Sequence, residues 1–503
     1  MAAMTGGAAL ARIGLYARSE TRLFHVALAR RLKERFGARI VLYSGSPQES
    51  AFYRRHGEGV FEAILEAKVL HAAALEVPHD ETMEAERARA YEARLGQTIN
   101  LLSVSNRHLG RGYALGGFHH PRSRISEETG YAHLLHAYNE CLAYWDREIP
   151  ARGLTLLLNG PREAAVIARE HGVPYRVFAG SRFANHHNWA WNEYYENPEF
   201  ERAHGTGEGT GTATLDRPYH SHLVHRSRYI RDASLLRLCQ RGAREIAKFA
   251  WWRLRGYEKG RGYFLGDNLK MMARIRGDAR RLARIATVRL DDLKGMPFVY
   301  YPLHQEPEVA LQGLSPEYFY QLSLIAAVAR DLPAGVRLAV KETFGAIGRR
   351  PRDFYGQIAE FKNVVLIEPM ELGLECARRA EAVVTICGTA GFEAAILGRP
   401  VIAWGLHNNY NFLPQVRVVR AERDLPGLLR WALDPRFDRE AAKAEGARFL
   451  NAVIARSFDM RGYDFIDVAR FEDASVEDAA TALARSVAEQ AASQTAASQA
   501  AAQ

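Results

Sequence analysis

Residues 382–405 read A-V-V-T-I-C-G-T-A-G-F-E-A-A-I-L-G-R-P-V-I-A-W-G. Residues 383–386 form a short apolar run rich in β-branched side chains, which predicts a buried strand. Residues 392–397 have helical composition, and the Gly-Arg-Pro that follows predicts the end of that helix. A second apolar run at 401–404 predicts the next strand. The stretch therefore predicts a strand, a tight turn, a short helix and a strand, which is a βαβ unit.

The turn inside this unit consists of Gly388, Thr389, Ala390 and Gly391. Unpaired N–H groups at a helix N-terminus favour an anion, and glycine lets the backbone approach it closely. Glu393, in the first turn of the helix, could accept hydrogen bonds from a ribose or sugar hydroxyl. The alternative is an ordinary strand-to-helix turn in which Glu393 only complements the helix dipole. The turn alone leaves both interpretations open.

The composition is that of a large globular protein from a reducing compartment. The 503 residues are 48% hydrophobic, which is enough for the cores of two or three domains. The four cysteines are widely spaced and form no Cys-x-x-Cys pair, which argues against a disulfide scaffold or a zinc site. The N-terminal residues lack the pattern of a signal peptide, and no apolar run is long enough to span a membrane. We therefore expect a soluble, cytoplasmic protein.

The net charge of +9 is concentrated in one segment. Residues 221–290 contain 18 Lys and Arg against 5 Asp and Glu, and such a local basic patch points to a partner. Aromatic side chains lie among these cations at Trp251, Trp252, Tyr257, Tyr263 and Phe264. The combination favours contact with an anionic membrane surface or a lipid-linked substrate. A helical connector that packs its aromatic residues explains it equally well. No nucleic-acid-binding motif is present, so nucleic acid is not expected as a partner.

Two series of apolar runs predict two parallel sheets. Strands at 12–18 and 39–43 flank a helix at 23–36, which is how a doubly wound sheet begins. Strands at 154–158 and 175–178 continue this first sheet. The runs of the second sheet are 298–302, 338–341, 364–367, 383–386 and 401–404. The predicted fold class is therefore α/β, with two Rossmann-like, doubly wound domains and a basic helical connector.

Four segments of the first half have no clear strand pattern. Residues 49–95 predict charged helices, and residues 179–191 and 196–214 predict polar or glycine-rich loops. Residues 106–130 are rich in glycine, histidine and arginine and show no period. A polar loop this long inside a compact domain is usually functional.

Polar residues follow the predicted strands of the second sheet. His304 and Gln305 follow one strand, Lys341 and Glu342 lie at the end of the next, and the glycine turn follows a third. In a doubly wound sheet the carboxyl ends of the strands meet at one edge, where ligands bind. Lys341 is placed to neutralise a phosphate. Together these residues predict a nucleotide site.

The runs Y-Y-P-L-H-Q-E-P-E (300–308), V-K-E (340–342) with G-R-R-P (348–351), and G-T-A-G-F-E-A-A-I-L-G-R-P-V-I (388–402) resemble the capsule polysaccharide biosynthesis glycosyltransferases. The resemblance covers residues 295–415 well and the first half only in its layout. It implies a GT-B fold, in which two Rossmann-like domains face a cleft, with a nucleotide-sugar donor on the second domain and the acceptor on the first. The donor is a substrate, so neither a cofactor nor a metal is implied. The residues expected at the donor nucleotide are His304, Gln305, Lys341, Glu342, Gly388, Thr389, Ala390, Gly391 and Glu393.

One motif departs from the family pattern. Where the family has Lys-Glu-His-Pro, with a histidine associated with the donor phosphate, this chain has Lys341, Glu342, Thr343 and Phe344. The missing His-Pro pair leaves the type of donor open. We hypothesise that His304, at the end of a neighbouring strand, takes over the phosphate contact. A fully active His304→Ala variant would contradict this hypothesis.

An inverting transferase needs a general base that takes the proton of the acceptor hydroxyl. Candidates from the loop at 106–130, with one more distant residue, are His119, His120, Glu127, Glu128 and Asp267. We assign His119, Glu127 and Glu128 as the catalytic candidates. Arg111, Arg122 and Arg124 of the same loop could hold an anionic acceptor or the donor phosphate. Surface ion pairs and loop ordering explain these residues equally well.

The expected organisation is an acceptor domain at 1–219, a basic helical connector at 220–290, a donor domain at 291–440, helices that pack back at 441–490 and a disordered tail at 491–503. The expected function is metal-independent glycosyl transfer to a saccharide or lipid-linked acceptor in capsule- or lipopolysaccharide-type assembly, in the cytoplasm and at the inner face of its membrane. Two alternatives stay open. One is a sugar-nucleotide epimerase of the same fold, and the other is a non-catalytic nucleotide-binding or scaffolding relative.

Overall fold

The computed structural model describes residues 9–18, 21–106, 108–109, 121–209, 211, 213–232, 234–256, 263–305, 311, 313–318, 320–463 and 470–501. The chain divides into two compact units. The first unit combines Met1–Leu102, Gly130–Gly209 and Ala452–Gln503, and the second combines Ser103–Thr129 and Thr210–Asn451. Each unit thus collects segments that are distant in the chain.

Each unit is built on one sheet. In chain order, the strands of the described residues are β1 (Arg12–Tyr16), β2 (Arg39–Ser44), β3 (Ala63–Glu66), β4 (Leu156–Leu158), β5 (Tyr175–Gly180), β6 (His186–Ala190), β7 (Phe298–Pro302), β8 (Arg337–Lys341), β9 (Val364–Leu366), β10 (Ala382–Thr385), β11 (Val401–Ala403), β12 (Val416–Val418) and β13 (Phe458–Asp459). The first sheet has the order β3-β2-β1-β4-β5-β6-β13, in which the pairs β5–β6 and β6–β13 are antiparallel and the other pairs are parallel. The second sheet has the order β9-β8-β7-β10-β11-β12 and is parallel throughout.

Both sheets have the strand order of a doubly wound, Rossmann-like fold. In each, the chain winds from a central strand to one edge, returns, and winds to the other edge. The winding direction reverses between β1 and β4 in the first sheet and between β7 and β10 in the second. Ligands bind such sheets outside the carboxyl ends of these two strands. The predicted α/β fold class with two Rossmann-like domains is confirmed.

The helices connect and cover the strands. In chain order, those of the described residues are α1 (Arg22–Phe36), α2 (Pro47–His56), α3 (Leu70–Ala73), α4 (Glu81–Leu95), α5 (Ile99–Ser103), α6 (Arg124–Glu128), α7 (Tyr131–Ala151), α8 (Arg162–Glu170), α9 (Pro198–Thr206), α10 (His220–Asp232), α11 (Leu235–Leu254), α12 (Leu265–Ile285), α13 (Gln321–Asp331), α14 (Phe354–Ala359), α15 (Gly373–Arg379), α16 (Thr389–Ile396), α17 (Leu425–Ala432), α18 (Arg439–Ala455) and α19 (Asp473–Ala501). In the first core, Leu28 of α1 and Leu483 of α19 pack with Leu156 of β4. In the second, Val328 of α13 packs with Val340 of β8.

Several elements differ from the sequence-based predictions. Strand β3 lies inside the segment expected to be helical, and β6 lies inside the polar loop expected at 179–191. The sequence of β6, H-H-N-W-A, has no apolar alternation that would predict a strand. The strand forms through antiparallel backbone pairing with β5. Helix α9 lies in the segment expected to be irregular, and the Asn197 side chain caps it by accepting the Glu199 N–H at 3.1 Å.

The last helix is longer than expected. A disordered tail is predicted from residue 491, whereas α19 continues to Ala501. Its final turns consist mainly of alanine, with glutamine and serine, and the high helix propensity of alanine explains the continuation.

Candidate functional site

The glycine turn between β10 and α16 lies where the winding of the second sheet reverses. Strand β10 ends at Thr385, and Gly388 then has φ +109° and ψ −175°, a conformation that is essentially open only to glycine. Gly388 is the N-cap residue of α16, so it offers no side-chain acceptor to the first N–H groups of the helix. This arrangement suits a bound anion.

His304, which follows β7, lies directly against this turn. Its Nε2 is 3.3 Å from the backbone nitrogen of Cys387 and 3.3 Å from Oγ1 of Thr385, and it contacts the Cys387 carbonyl oxygen. A Cβ atom at Gly388 would lie 3.5 Å from the same imidazole nitrogen. The His304 N–H donates to Oε1 of Gln321 at 2.6 Å, and its carbonyl accepts from Nε2 of Gln321 at 2.9 Å. The structure therefore brings His304 and Gly388 together.

A loop after β11, absent from the sequence-based predictions, also holds the turn. Nδ2 of Asn408 donates to the carbonyl oxygens of Ile386 at 3.2 Å and Gly405 at 2.9 Å. The Tyr410 hydroxyl donates to the carbonyl oxygen of Gly388 at 3.4 Å. The sequence signal is the amide-rich run G-L-H-N-N-Y-N, which begins directly after a predicted strand.

The four residues of the turn do not share one role. Gly388 and Thr389 are half-buried, whereas Ala390 and Gly391 are buried. A Cβ atom at Gly391 would lie 2.8 Å from Cζ of Tyr410, closer than side chains normally approach. Gly391 is therefore required by packing, and the more exposed part of the turn is Gly388 with Thr389.

Glu342, expected at the donor nucleotide, belongs to a buried ion pair. Its carboxylate accepts from Nε and a terminal nitrogen of Arg350 at 2.8 and 3.2 Å, from the Tyr355 hydroxyl at 2.7 Å and from the Thr343 N–H at 2.7 Å. Glu342 and Arg350 are 3% and 1% exposed. Arg350 also donates to the carbonyl oxygen of His304. The pair therefore ties the end of β8 to the end of β7.

Lys341 and Glu393 lie in a buried polar cluster rather than on the open edge of the sheet. Nζ of Lys341 donates to the carbonyl oxygen of Glu342 at 3.0 Å, and burial lowers the pKa of this lysine. Glu393 is 1% exposed. Burial raises the pKa of Tyr300, and the nearby Cys376 and Glu393 add to that effect. Burial likewise raises the pKa of Cys376 to about 12. Both predicted residues are thus interior groups beside β7 and β8.

The motif that follows β7 is described only in part. Gln305 is half-buried, and its side chain occupies the space where a Cβ atom of Gly345 would lie. Glu306, Pro307 and Glu308, which contribute to the family resemblance, lie outside the described residues.

The catalytic candidates of the loop at 106–130 lie on its surface where they are described. Glu127 and Glu128 belong to α6, with side chains 41% and 49% exposed, and each pairs with an arginine of its own loop. Arg122 contacts Glu127 at 3.5 Å and Asp267 at 2.7 Å, and Arg124 contacts Glu128 at 2.7 Å. Exposed pairs of this kind contribute little to stability. His119, His120 and Arg111 lie outside the described residues.

The first sheet has a polar group that sequence reasoning missed, at its own reversal point. Glu163 lies in the first turn of α8, directly after β4, and is 4% exposed. Burial raises the pKa of its carboxyl, although its own N–H and the nearby Arg162 oppose this. Burial raises the pKa of Tyr16, at the end of β1, and Glu49 and Glu163 add to the effect. The guanidinium nitrogens of Arg162 are buried without a hydrogen-bond partner among the described residues. The sequence signal for this group was the pair Arg162-Glu163, which begins a helix shortly after a predicted strand.

A buried histidine stabilises the same edge of the first sheet. Nε2 of His25 lies 2.9 Å from Nδ2 of Asn159, and Oδ1 of Asn159 accepts from the Phe178 N–H at 2.8 Å. His25 is fully buried, and this burial, with Arg18 nearby, lowers its pKa to about 3. The imidazole is therefore neutral in the folded protein at neutral and mildly acidic pH.

The low pKa of His25 predicts a loss of stability in acid. The unfolded chain takes up this proton below about pH 6.5, whereas the folded chain does so only near pH 3. The stability that neutral His25 gives the folded state is fully present above about pH 6.5. As the pH falls towards 3 it is lost, and the free energy of unfolding decreases by about 1.4 kcal/mol per pH unit. Urea unfolding of His25→Gln should show a flatter pH dependence over this window than wild type, with exposed His56→Gln as the control. Equal slopes in wild type and His25→Gln would contradict the assignment.

The part of the chain that the structure describes holds neither a metal-binding cluster nor a helix fit to span a membrane. No group of three or more His, Cys, Asp or Glu side chains in that part is arranged to hold a metal ion. No helix there is both long enough and apolar enough to cross a bilayer.

The fold defines an α/β protein of two Rossmann-like units, and in the second unit a helix begins at a glycine turn where the winding of the sheet reverses. No family profile matches the chain, and no curated protein matches it. Among solved structures, the chain is similar to the glycotransferase of kitacinnamycin, at 12% identity and a TM-score of 0.29 over 94% of this chain and 98% of that one. It is similar to the Methanocaldococcus jannaschii UDP-GlcNAc 2-epimerase in complex with UDP-GlcNAc and UDP, at 12% identity and 0.25 over 88% and 99%. It is also similar to Thermosulfurimonas dismutans KpsC, a beta Kdo 2,4 transferase, at 15% identity and 0.26 over 56% and 79%. These identities and TM-scores are too low to assign a function to this chain.

Proposed function

We propose that this protein is a cytoplasmic glycosyltransferase that takes a sugar from a nucleotide-sugar donor and adds it to a saccharide or lipid-linked acceptor in surface polysaccharide assembly. The observation that carries this proposal is the contact of His304 with the Gly388 turn, at the point where the winding of the second sheet reverses. A helix N-terminus beside an imidazole suits the diphosphate or phosphate of a nucleotide sugar.

His304 supplies the imidazole that is missing from the motif at residues 341–344, where the family has Lys-Glu-His-Pro. At the motif positions, the Thr343 N–H donates to the Glu342 carboxylate, and the ring of Phe344 lies with its centroid 4.6 Å from Nζ of Lys341. These two residues therefore support the buried ion pair and the buried lysine. His304 lies one strand away in the sheet and meets the turn directly, so it is the residue we assign to the donor phosphate.

The chemistry follows from these groups. As the bond between the sugar and the nucleotide phosphate breaks, negative charge grows on the leaving phosphate, and the first N–H groups and dipole of α16 stabilise it. The acceptor hydroxyl must lose its proton as it attacks the sugar carbon. We propose that the carboxylate of Glu163 accepts this proton. Its burial raises its pKa, and it lies at the reversal point of the first sheet, which suits a general base. Arg162, beside it, would hold an anionic group of the acceptor. His119, Glu127 and Glu128 are the rival candidates for the base.

Acceptor dependence tests the proposed reaction. Purified protein is incubated with UDP-, GDP-, dTDP-, CDP- and CMP-activated sugars, with and without an extract of cell-surface glycolipids and oligosaccharides. A transferase should release nucleotide from one donor faster when the extract is present. Conversion of the donor to a stereoisomeric nucleotide sugar without any acceptor would favour an epimerase of the same fold, and nucleotide binding with neither release nor conversion would favour a non-catalytic relative.

A further inference from the structure

Helix α11 has an apolar face that no part of the described chain covers. The side chains of this face include Leu235, Leu236, Cys239, Ile246, Trp251 and Leu254. Leu236 is 69% exposed and Leu254 is 83% exposed, and α11 contains no buried residue at all. The exposed alanines at 243, 247 and 250 lie between these side chains on the same face of the helix. An amphipathic helix of a globular protein normally buries such a face.

A different face of α11 makes its contact with the rest of the unit. A Cβ atom at Gly242 would lie 3.8 Å from Cδ2 of Leu269 in α12, so Gly242 faces that helix. Phe249 and Trp252, on the same side, pack on each other with ring centroids 5.3 Å apart and are half-buried. Because packing within the unit uses this side, the exposed leucines do not serve to hold the helices together.

A row of cations borders the apolar face. Arg237, Arg241, Arg244 and Lys248 follow at spacings of four, three and four residues, which places them on one side of the helix. The one acidic residue of α11, Glu245, pairs with Lys248. At about 3.6 residues per turn, Trp251 falls between the leucines and this row. An apolar stripe, a tryptophan at its border and an adjoining basic row form the pattern of a helix that lies in a membrane interface.

We propose that α11 docks on an anionic lipid surface, with its apolar face among the acyl chains and its basic row at the lipid phosphates. Charge complementarity selects this occupant. A second copy seated on the apolar face would bring two arginine rows together, which repel each other, whereas anionic headgroups attract them. The proposal concerns membrane attachment and does not depend on the sugar chemistry.

The cysteines of the chain allow a direct test. Cys239 lies on the apolar face and is exposed, whereas Cys141, Cys376 and Cys387 are buried, so a maleimide dye will react at Cys239 in the folded protein. The labelled protein is titrated with phosphatidylcholine vesicles with and without phosphatidylglycerol. We expect the emission of an environment-sensitive dye to increase and shift to the blue with anionic vesicles only, and the effect to weaken as salt is raised.

Two pairs of variants separate the apolar from the basic contribution, with vesicle co-sedimentation as the readout. Leu236→Glu with Leu254→Glu should lower vesicle affinity by at least about tenfold, and Val77→Glu, at a site 90% exposed in the first unit, should leave it unchanged. Arg237→Gln with Arg244→Gln should lower affinity for anionic vesicles by about 30-fold. The same charge change at the exposed Arg54 and Arg55 should not do so.

Three results would overturn the proposal. The first is an emission from labelled Cys239 that does not respond to anionic vesicles. The second is unchanged vesicle binding by the Leu236→Glu, Leu254→Glu variant, with its helix content verified by circular dichroism. The third is a dimer, seen by light scattering, that this same variant dissociates, because a second copy would then cover the face.

Discussion

Replacing Glu163 by glutamine is expected to lower the turnover number by about 10²–10⁴-fold and to leave nucleotide affinity unchanged. Glutamine keeps the size of the side chain in its buried position but cannot take up a proton. Because burial raises the pKa of Glu163, wild-type turnover should rise with pH through a pKa above the usual carboxyl range, since the base must be deprotonated to act. The measurement is nucleotide release with saturating donor and acceptor across that pH range.

The matched control for Glu163→Gln is Glu127→Gln. Both changes convert a glutamate to its amide, but Glu127 is an exposed residue paired with an arginine of its own loop. We expect Glu127→Gln to keep wild-type turnover. If instead Glu127→Gln loses activity and Glu163→Gln does not, the base lies in the loop and the assignment to the first sheet is wrong.

Replacing Glu342 by alanine is expected to lower the free energy of unfolding by about 3–5 kcal/mol. The change leaves the guanidinium of Arg350, 1% exposed, in the interior without its carboxylate partner. It also removes the acceptor of the Tyr355 hydroxyl and of the Thr343 N–H. A buried charge that loses its partner is far more costly than a lost surface pair, and urea unfolding followed by circular dichroism measures the difference.

The surface pair of Glu375 with Arg378 provides the comparison. It lies in the same unit, with a distance of 3.3 Å and side chains 39% and 40% exposed. Glu375→Ala should cost less than about 1 kcal/mol. A double variant, Glu342→Leu with Arg350→Met, should recover part of the stability lost in Glu342→Ala, because it leaves no buried charge. A Glu342→Ala variant as stable as Glu375→Ala would contradict this account.

The strands of the second sheet were the most predictable part of the fold. β7 (F-V-Y-Y-P), β10 (A-V-V-T) and β11 (V-I-A) are short runs of mostly apolar, β-branched or aromatic side chains, so local composition was enough to identify them. The strands β6 and β13 at the edge of the first sheet could not be predicted in this way. Their pairing is antiparallel and depends on which strand happens to lie beside them.

The candidate site was predictable only where it follows from strand order. His304 and Gly388 come together because they follow β7 and β10, which are neighbours in the sheet. The burial of Lys341 and Glu393 could not be predicted, because a residue at the end of a strand or in the first turn of a helix can face either the open edge or the interior. Glu163 was missed for the same reason: in the sequence it is one acidic residue at the start of a helix, and only burial sets it apart.

The partners of these residues depend on tertiary structure alone. Arg350 meets Glu342 because the seven residues between them, 343–349, turn back on β8, and the path of this segment has no sequence signature. Asn408 and Tyr410 reach the turn from the loop after β11. Hydrogen bonds of this kind are set by the packing of loops, so no pattern of hydrophobic period indicates them in advance.

Nucleotide binding at the Gly388 turn tests the central claim most directly. Wild type, Gly388→Ala and Gly356→Ala would each be titrated with CMP, CDP, UDP, GDP and dTDP by calorimetry. Alanine at 388 is forced into a backbone conformation that essentially only glycine adopts, beside His304, whereas a Cβ at Gly356 in α14 meets no other atom within 4 Å. The account predicts one nucleotide that binds wild type and Gly356→Ala alike and binds Gly388→Ala at least about tenfold more weakly. Binding of none of the five, or equal binding by Gly388→Ala, would contradict it.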